Sequence, residues 1–163
     1  MNEIELIVDM LMQTFDGRAW HGPSFMSVVN GVTKAQASGR PVEKGHTIWE
    51  IVSHCSYWMD AVTKALHSQR MPDIKTDEDW PKMGKTEQDW IKTQEVARKA
   101  CNELTHSLKN LDKDIFTQKV HGSYNGEPYS TTYRRMIHGI SDHNTYHSGQ
   151  IAILKKMMQT QNR

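Results

Sequence analysis

His143-Asn-Thr-Tyr-His147 lies within residues 138–154, a segment whose apolar residues recur at helical spacing. In an α-helix, about 100° per residue places the two histidines about 40° apart on one face, close enough for both imidazoles to bind one metal ion. Two histidines supply only part of a metal site. The chain must therefore provide a third ligand, and a fold that holds all three together.

Length and composition favour one domain. The chain has 163 residues and a formal net charge of +1, which suits one full-sized core, so we predict a single domain over residues 1–163. Lysine and arginine are spread along the chain, so we expect no nucleic-acid partner. No apolar run is long enough to span a membrane, and the acidic start does not resemble a signal peptide, so we expect a soluble cytoplasmic protein without a membrane partner.

Four amphipathic segments predict four long helices. Three of them begin with a capping box, in which a polar residue is followed three positions later by an acidic residue. The predicted helices span residues 2–17, 47–70, 86–111 and 130–158, and an apolar segment at 25–31 predicts a short extra helix. The two cysteines, Cys55 and Cys101, lie in the apolar stripes of these helices, which indicates reduced core residues.

The connections between these helices are long. Pro72 ends the helix before residues 73–85, and this segment contains the acidic run Asp77-Glu-Asp79 and Pro81, which predicts a solvated linker. Residues 32–45 and 112–129 carry no pattern that determines their structure, although the turn dipeptide Asn125-Gly126 favours a small hairpin or an ordered loop. With no persuasive strand pattern, we predict an all-α four-helix bundle with a short extra helix and long connections.

A helical wheel turns both histidines of the opening motif toward the core. With Ile137 at zero, the apolar residues cluster near about 300°, and His143 and His147 fall at about 240° and about 280°. His138 falls near about 100°, so it should be a surface or boundary residue. A single inward histidine is usually a hydrogen-bonded core residue, but two on adjacent turns would each need a buried partner.

His54 is the candidate for the third ligand. On the helix at 47–70 it falls at about 240°, on the flank of an apolar stripe centred near about 320°, so it can reach across the bundle. Three neutral histidines with an open position suit zinc or nickel, with iron as a further option.

Two motifs together resemble a known family. His54 within the segment 47–58, followed by His143-Asn-Thr-Tyr-His147-Ser-Gly149-Gln150, resembles the DinB/YfiT-like metal-binding proteins. The loop at 20–24 is also similar to a loop in part of that family. The resemblance implies a four-helix bundle in which His54, His143 and His147 bind a divalent metal ion.

The resemblance also implies a class of activity. Family members include transferases and isomerases that use a low-molecular-weight thiol such as bacillithiol or mycothiol. Our first hypothesis is therefore a thiol-dependent S-transferase-like enzyme acting on a small-molecule electrophile, since a divalent cation keeps a bound thiol as thiolate. His21, Tyr57, Trp58 and Asn144 are candidates to line its cleft, although Trp20 and His21 also fit a packed loop.

Two other functions stay open. In a metal-dependent hydrolase, water would occupy the open position and a neighbouring histidine would act as general base. In a metal-binding or stress-response protein without turnover, the ion would mainly connect two helices, and a closed tetrahedral site would favour this option. The family resemblance further leads us to expect a homodimer.

Overall fold

The computed structural model describes residues 2–160. In this range the chain forms six α-helices, one short 3-10 helix and three strands, and no helix is both long and apolar enough to cross a membrane. In chain order the elements are α1 (Glu3–Asp16), α2 (Phe25–Val29), α3 (Lys34–Ser38), α4 (Ile48–Ser68), β1 (Arg70–Ile74), α5 (Glu87–Lys109), the 3-10 helix (Lys113–Thr117), β2 (Lys119–Tyr124), β3 (Glu127–Thr132) and α6 (Tyr133–Thr160).

The four long helices α1, α4, α5 and α6 enclose the core. Helix α4 packs against α5 and α6, and α1 packs against the same two helices. Their buried faces form one continuous hydrophobic cluster, and Cys55 and Cys101 are both fully buried within it, as predicted. The prediction of a mostly helical fold is thus confirmed, and the short helix at Phe25–Val29 also forms where it was expected.

The predicted capping boxes explain where three of the long helices begin. In α4, the Thr47 hydroxyl accepts a hydrogen bond from the Glu50 amide at 3.1 Å, and the Glu50 carboxylate accepts one from the Thr47 amide at 2.7 Å. These reciprocal bonds pair amides that have no partner inside the helix. Equivalent boxes open α1, at Asn2 and Glu5, and α5, at Thr86 and Asp89.

A small sheet corrects the all-α prediction. Strand β1 pairs in parallel with β2, and β2 pairs antiparallel with β3. Asn125 and Gly126 form the turn between β2 and β3, with φ angles of 52° and 82°, so the hairpin expected as one option for this region is present. The local sequence pattern does not predict strand β1, because the strand contains Pro72 and pairs with a strand that is distant in sequence.

Because of the hairpin, the last helix begins later than the sequence predicted. Residues 127–132 pair with β2 and are therefore extended, so α6 begins at Tyr133, three residues after the predicted start at Ser130. The Thr132 hydroxyl instead accepts a hydrogen bond from the Arg135 amide at 3.2 Å. In this way the sheet leads directly into the helix that carries the paired histidines.

Removing the cap of α4 should destabilise the fold. We expect Thr47→Ala to lower the free energy of unfolding by about 1 kcal/mol, since the Glu50 amide loses its acceptor. Thr47→Ser keeps the hydroxyl and should retain most of that stability. Urea denaturation of both variants measures the difference, and equal losses would show that the hydroxyl contributes nothing.

Candidate metal centre

Three histidines from two helices meet between α4 and α6. His54 projects from α4, and His143 and His147 project from successive turns of α6. The Nε2 atoms of His54 and His143 are 3.1 Å apart, and one nitrogen from each of the three rings lies within 4.8 Å of the others. His54 and His147 are buried, and His143 is half-buried. The structure thus brings together the three residues that sequence reasoning selected.

Hydrogen bonds outside the cluster orient two of the rings. His54 Nδ1 lies 2.5 Å from the carbonyl oxygen of Asp79, and His147 Nδ1 lies 2.6 Å from Gln150 Oε1. Both oxygens only accept hydrogen bonds, so each Nδ1 carries the proton of a neutral ring. The Nε2 lone pairs of these two rings are then free to face the centre of the cluster, as in metal-bound histidines.

Burial keeps the three imidazoles neutral. It is the main cause that lowers the pKa of His54 to about 3 and the pKa of His143 to about 4, and neighbouring histidines lower both further. The pKa of His147 is also lowered, again mainly by burial. A buried cation without a partner is unfavourable, so these rings are uncharged at neutral pH and can act as ligands.

Two tryptophans enclose the cluster. Trp80 stacks on the His54 ring, with centroids 3.8 Å apart and planes at 10°, and it also stacks with His46 at 3.4 Å and 4°. Trp58 meets His54 and His143 edge-on, at 6.3 and 6.2 Å. These rings shield the histidines on two sides.

The segment at 73–85 corrects the prediction of a solvated linker. Asp79 is 3% exposed and Trp80 is half-buried, and together they contact His54 through the hydrogen bond and the ring stack. Sequence reasoning missed both residues. The sequence signal that could have found them is the single tryptophan in this polar connection, since a large aromatic residue usually packs against the protein.

The other predicted cleft residues lie in different places. His21 is exposed in the loop after α1, and Trp20 is fully exposed, so the packed-loop interpretation is wrong. Tyr57 lines a separate cavity of about 770 Å³ between α4 and the start of α5. Of the four candidates, Trp58 is the one that contacts the histidine rings.

Asn144 lies in the core and not in a cleft. It is 1% exposed, and within residues 2–160 neither polar atom of its side chain has a hydrogen-bond partner. The adjacent His143 Nδ1 is also buried without a partner in this range. The third ring therefore has no outer hydrogen bond with the geometry of the other two, although the Asn144 side chain is close enough to raise the pKa of His143 in opposition to burial.

Two cavities border the cluster on different sides. The apolar cavity, about 240 Å³, lies beside His143 and Trp58, between α4, α6 and the sheet. The wider cleft, about 510 Å³, lies beside His147 and Trp80, and its wall also includes His46. Small molecules can therefore reach the histidines from two directions.

Comparison with protein families identifies the chain. The sequence model of the DinB superfamily matches residues 19–151, which include all three histidines. The chain belongs to the DinB superfamily. Comparisons with curated proteins and with solved structures give no match.

The donor set of this DinB-superfamily chain fits a divalent metal ion. Three neutral imidazoles converge, and two of them are held in the tautomer that leaves Nε2 unprotonated. Without an ion, two Nε2 atoms at 3.1 Å would have to share a proton or repel each other through their lone pairs. His138, the histidine predicted to be a surface or boundary residue, is half-buried outside this cluster.

The metal-free protein should lose stability as pH falls. The folded pKa values of about 3 for His54 and about 4 for His143 lie below the unfolded value of about 6.5, so between these values the unfolded chain binds more protons. The free energy of unfolding should therefore decrease from pH 7.5 to pH 5. Urea denaturation in the presence of chelator measures this decrease.

His143→Gln is the control for this measurement, because glutamine has no titrating ring. The decrease between the two pH values should be smaller in this variant than in the unmodified protein. An identical decrease in both proteins would contradict the assignment of a low pKa to His143.

Proposed function

We propose that His54, His143 and His147 bind one divalent cation, most readily zinc or nickel and also iron, and that the protein is a metal-dependent thiol S-transferase acting on small electrophiles. The observation that supports this proposal most directly is the set of three neutral imidazoles that converge between two separate cavities. A transferase joins two molecules, and two cavities that meet at one centre suit that task.

Some residues would bind the metal ion, and others would orient the histidine rings that bind it. His54, His143 and His147 would hold the ion, while the Asp79 carbonyl and the Gln150 amide keep two of the rings in the required orientation. A bound divalent cation lowers the pKa of a coordinated thiol, so that thiolate is present at neutral pH.

The reaction itself is a substitution at carbon. The thiolate sulfur forms a new bond to the electrophilic carbon, and the bond from that carbon to the leaving group breaks. The leaving group departs with the bonding electron pair, and the proton of the thiol passes to bulk water. Trp58 and Trp80 limit the access of water, which would otherwise compete for the electrophile.

The other two functions remain alternative outcomes. A hydrolase would consume an ester or amide without any thiol, with His46 at the wider cleft as the nearest additional histidine. A protein without turnover would bind the metal and gain stability, but it would catalyse neither reaction.

We also propose the helical architecture and the oligomeric state that the family resemblance implies. The mutual packing of α1, α4, α5 and α6 supports a four-helix bundle of the DinB/YfiT type. Exposed apolar side chains such as Leu6 and Met10 on α1 suit a homodimer. We further propose that the protein works in the cytoplasm. Analytical ultracentrifugation would test the dimer.

Metal binding should depend on the three histidines and not on their neighbours. His54→Ala removes one ligand of three and should weaken zinc binding by about 100-fold or more. His138 lies on the same helix as the other two ligands but outside the cluster, so His138→Ala should leave the affinity for zinc unchanged. Competition with a chromophoric chelator measures both affinities, and equal effects would contradict the assigned ligand set.

Turnover should require both metal and thiol. We expect the purified protein to consume a low-molecular-weight thiol in the presence of iodoacetamide, to lose this activity in chelator and to regain it with added zinc or nickel. Thiol loss is followed with a colorimetric thiol reagent. His147→Ala should be inactive and His138→Ala active, and unchanged turnover in metal-free His147→Ala would refute the proposed function.

A further inference from the structure

The apolar cavity beside His143 is built by three different parts of the fold. Trp58 and Val62 of α4 form one side, Met136 and Ile140 of α6 form another, and Met71 of β1 and Tyr129 of β3 close it from the sheet. Apart from the imidazole of His143 and the hydroxyl groups of Tyr129 and Thr131, the lining side chains offer the cavity hydrocarbon, thioether and aromatic surface. Such a lining favours an apolar group over water.

The sheet wall depends on a close approach at Gly122. A side chain at this position of β2 would place its Cβ 2.6 Å from the Cβ of Met71 and 3.1 Å from the hydroxyl of Tyr129. The glycine therefore allows both residues to come together across β2, where Tyr129 is its direct partner in the ladder. The wall is thus a specific product of the strand order and not a gap between loosely packed elements.

The volume of the cavity determines how much of a ligand it can hold. At about 240 Å³ it is smaller than the roughly 300–1,000 Å³ of pockets that bury a whole drug-sized molecule. It is larger than the apolar cavity of about 150 Å³ that suffices for benzene. It therefore suits a substituted phenyl or a branched alkyl group, while the remainder of the ligand lies outside it.

The position of His143 indicates where that remainder lies. The imidazole borders the apolar cavity, and its Nε2 is one of the nitrogens of the histidine cluster, 3.1 Å from His54 Nε2. A hydrocarbon group in the cavity would thus place an attached polar or reactive atom at the cluster. The wall of the wider cleft contains apolar residues such as Ile153 and Leu154, but it also has His46, Tyr146 and Gln150 and so offers a second reactant more polar partners than the apolar cavity does.

From these observations we propose that the apolar cavity binds the hydrocarbon part of the electrophile, an aromatic or branched alkyl group, with the electrophilic carbon directed at the histidines. That the bound ligand is an electrophile rests on the proposed transferase function. The presence of an apolar binding site beside His143 does not depend on it, so the two can be tested separately.

Two glycines of α6 provide matched variants. Gly139 lines the apolar cavity and Gly149 does not, and an added Cβ at either position meets no atom within 4 Å. Both are exposed helical positions, where leucine is a better helix former than glycine, so neither change endangers the fold. Gly139→Leu should occupy or cover the cavity, Gly139→Ala should do so less, and Gly149→Leu should leave it open.

The first measurement uses toluene and the metal-free full chain. Toluene should shift the indole N–H resonance of Trp58, and its affinity should fall about 10- to 100-fold in Gly139→Leu while staying unchanged in Gly149→Leu. Gly139→Ala should lie between these two results. No shift in the unmodified protein, or equal affinity in the two leucine variants, would overturn the assignment of the cavity.

The second measurement uses the metal-loaded protein with a thiol and two electrophiles, 4-nitrobenzyl chloride and iodoacetamide. Gly139→Leu should raise the KM for the aromatic electrophile about tenfold or more and leave that for iodoacetamide unchanged. An equal change for both would overturn the proposed orientation. Absence of turnover with either electrophile would refute the transferase function, whereas toluene binding would still support the apolar site.

Discussion

The hydrogen bond between His54 Nδ1 and the Asp79 carbonyl oxygen is the contact on which the histidine site depends. A carbonyl can only accept, so the bond determines which nitrogen of His54 carries the proton and directs Nε2 toward α6. It also brings the next residue, Trp80, onto the face of the same ring. One backbone contact therefore sets the orientation of a ligand and places the aromatic ring that shields it.

The three-stranded sheet holds the segment that makes this contact. Asn125, in the turn between β2 and β3, accepts a hydrogen bond from the Thr76 amide at 2.7 Å and donates its own amide to the Ile74 carbonyl at 2.8 Å. Three residues later, the buried Asp79 carboxylate lies 3.4 Å from the Tyr124 hydroxyl. Burial raises the pKa of Asp79, and hydrogen bonds from the Tyr124 and Trp58 side chains oppose that effect by stabilising the buried carboxylate.

Local sequence rules predicted the helices and the three histidines, because caps and the 3.6-residue period are short-range signals. With Ile137 at zero, Asn144 falls at about 340° on the same wheel, among the apolar residues of α6, which agrees with its buried position in the core and not with the predicted place in a cleft. Strand β1 with its parallel pairing to β2, and the contacts of Asp79 and Trp80 with His54, were missed because they join segments that are distant in sequence, which periodicity does not report. For Trp20 the error is the opposite one, because the packed-loop interpretation treated an exposed loop tryptophan as buried.

Helix α6 explains why one centre is reached from two sides. His143 and His147 are four residues apart, about 6 Å along the helix axis, yet one borders the apolar cavity and the other the wider cleft. In the proposed transferase, this helix would set the positions of the two reactants relative to each other, which would reduce the entropy lost when both are bound. The outer walls come from other elements, the sheet on one side and residues 42–46 on the other. The histidines and the outer walls of the cavities thus belong to different parts of the fold, so under the proposed function the walls could determine the choice of reactant while the histidines stay in place.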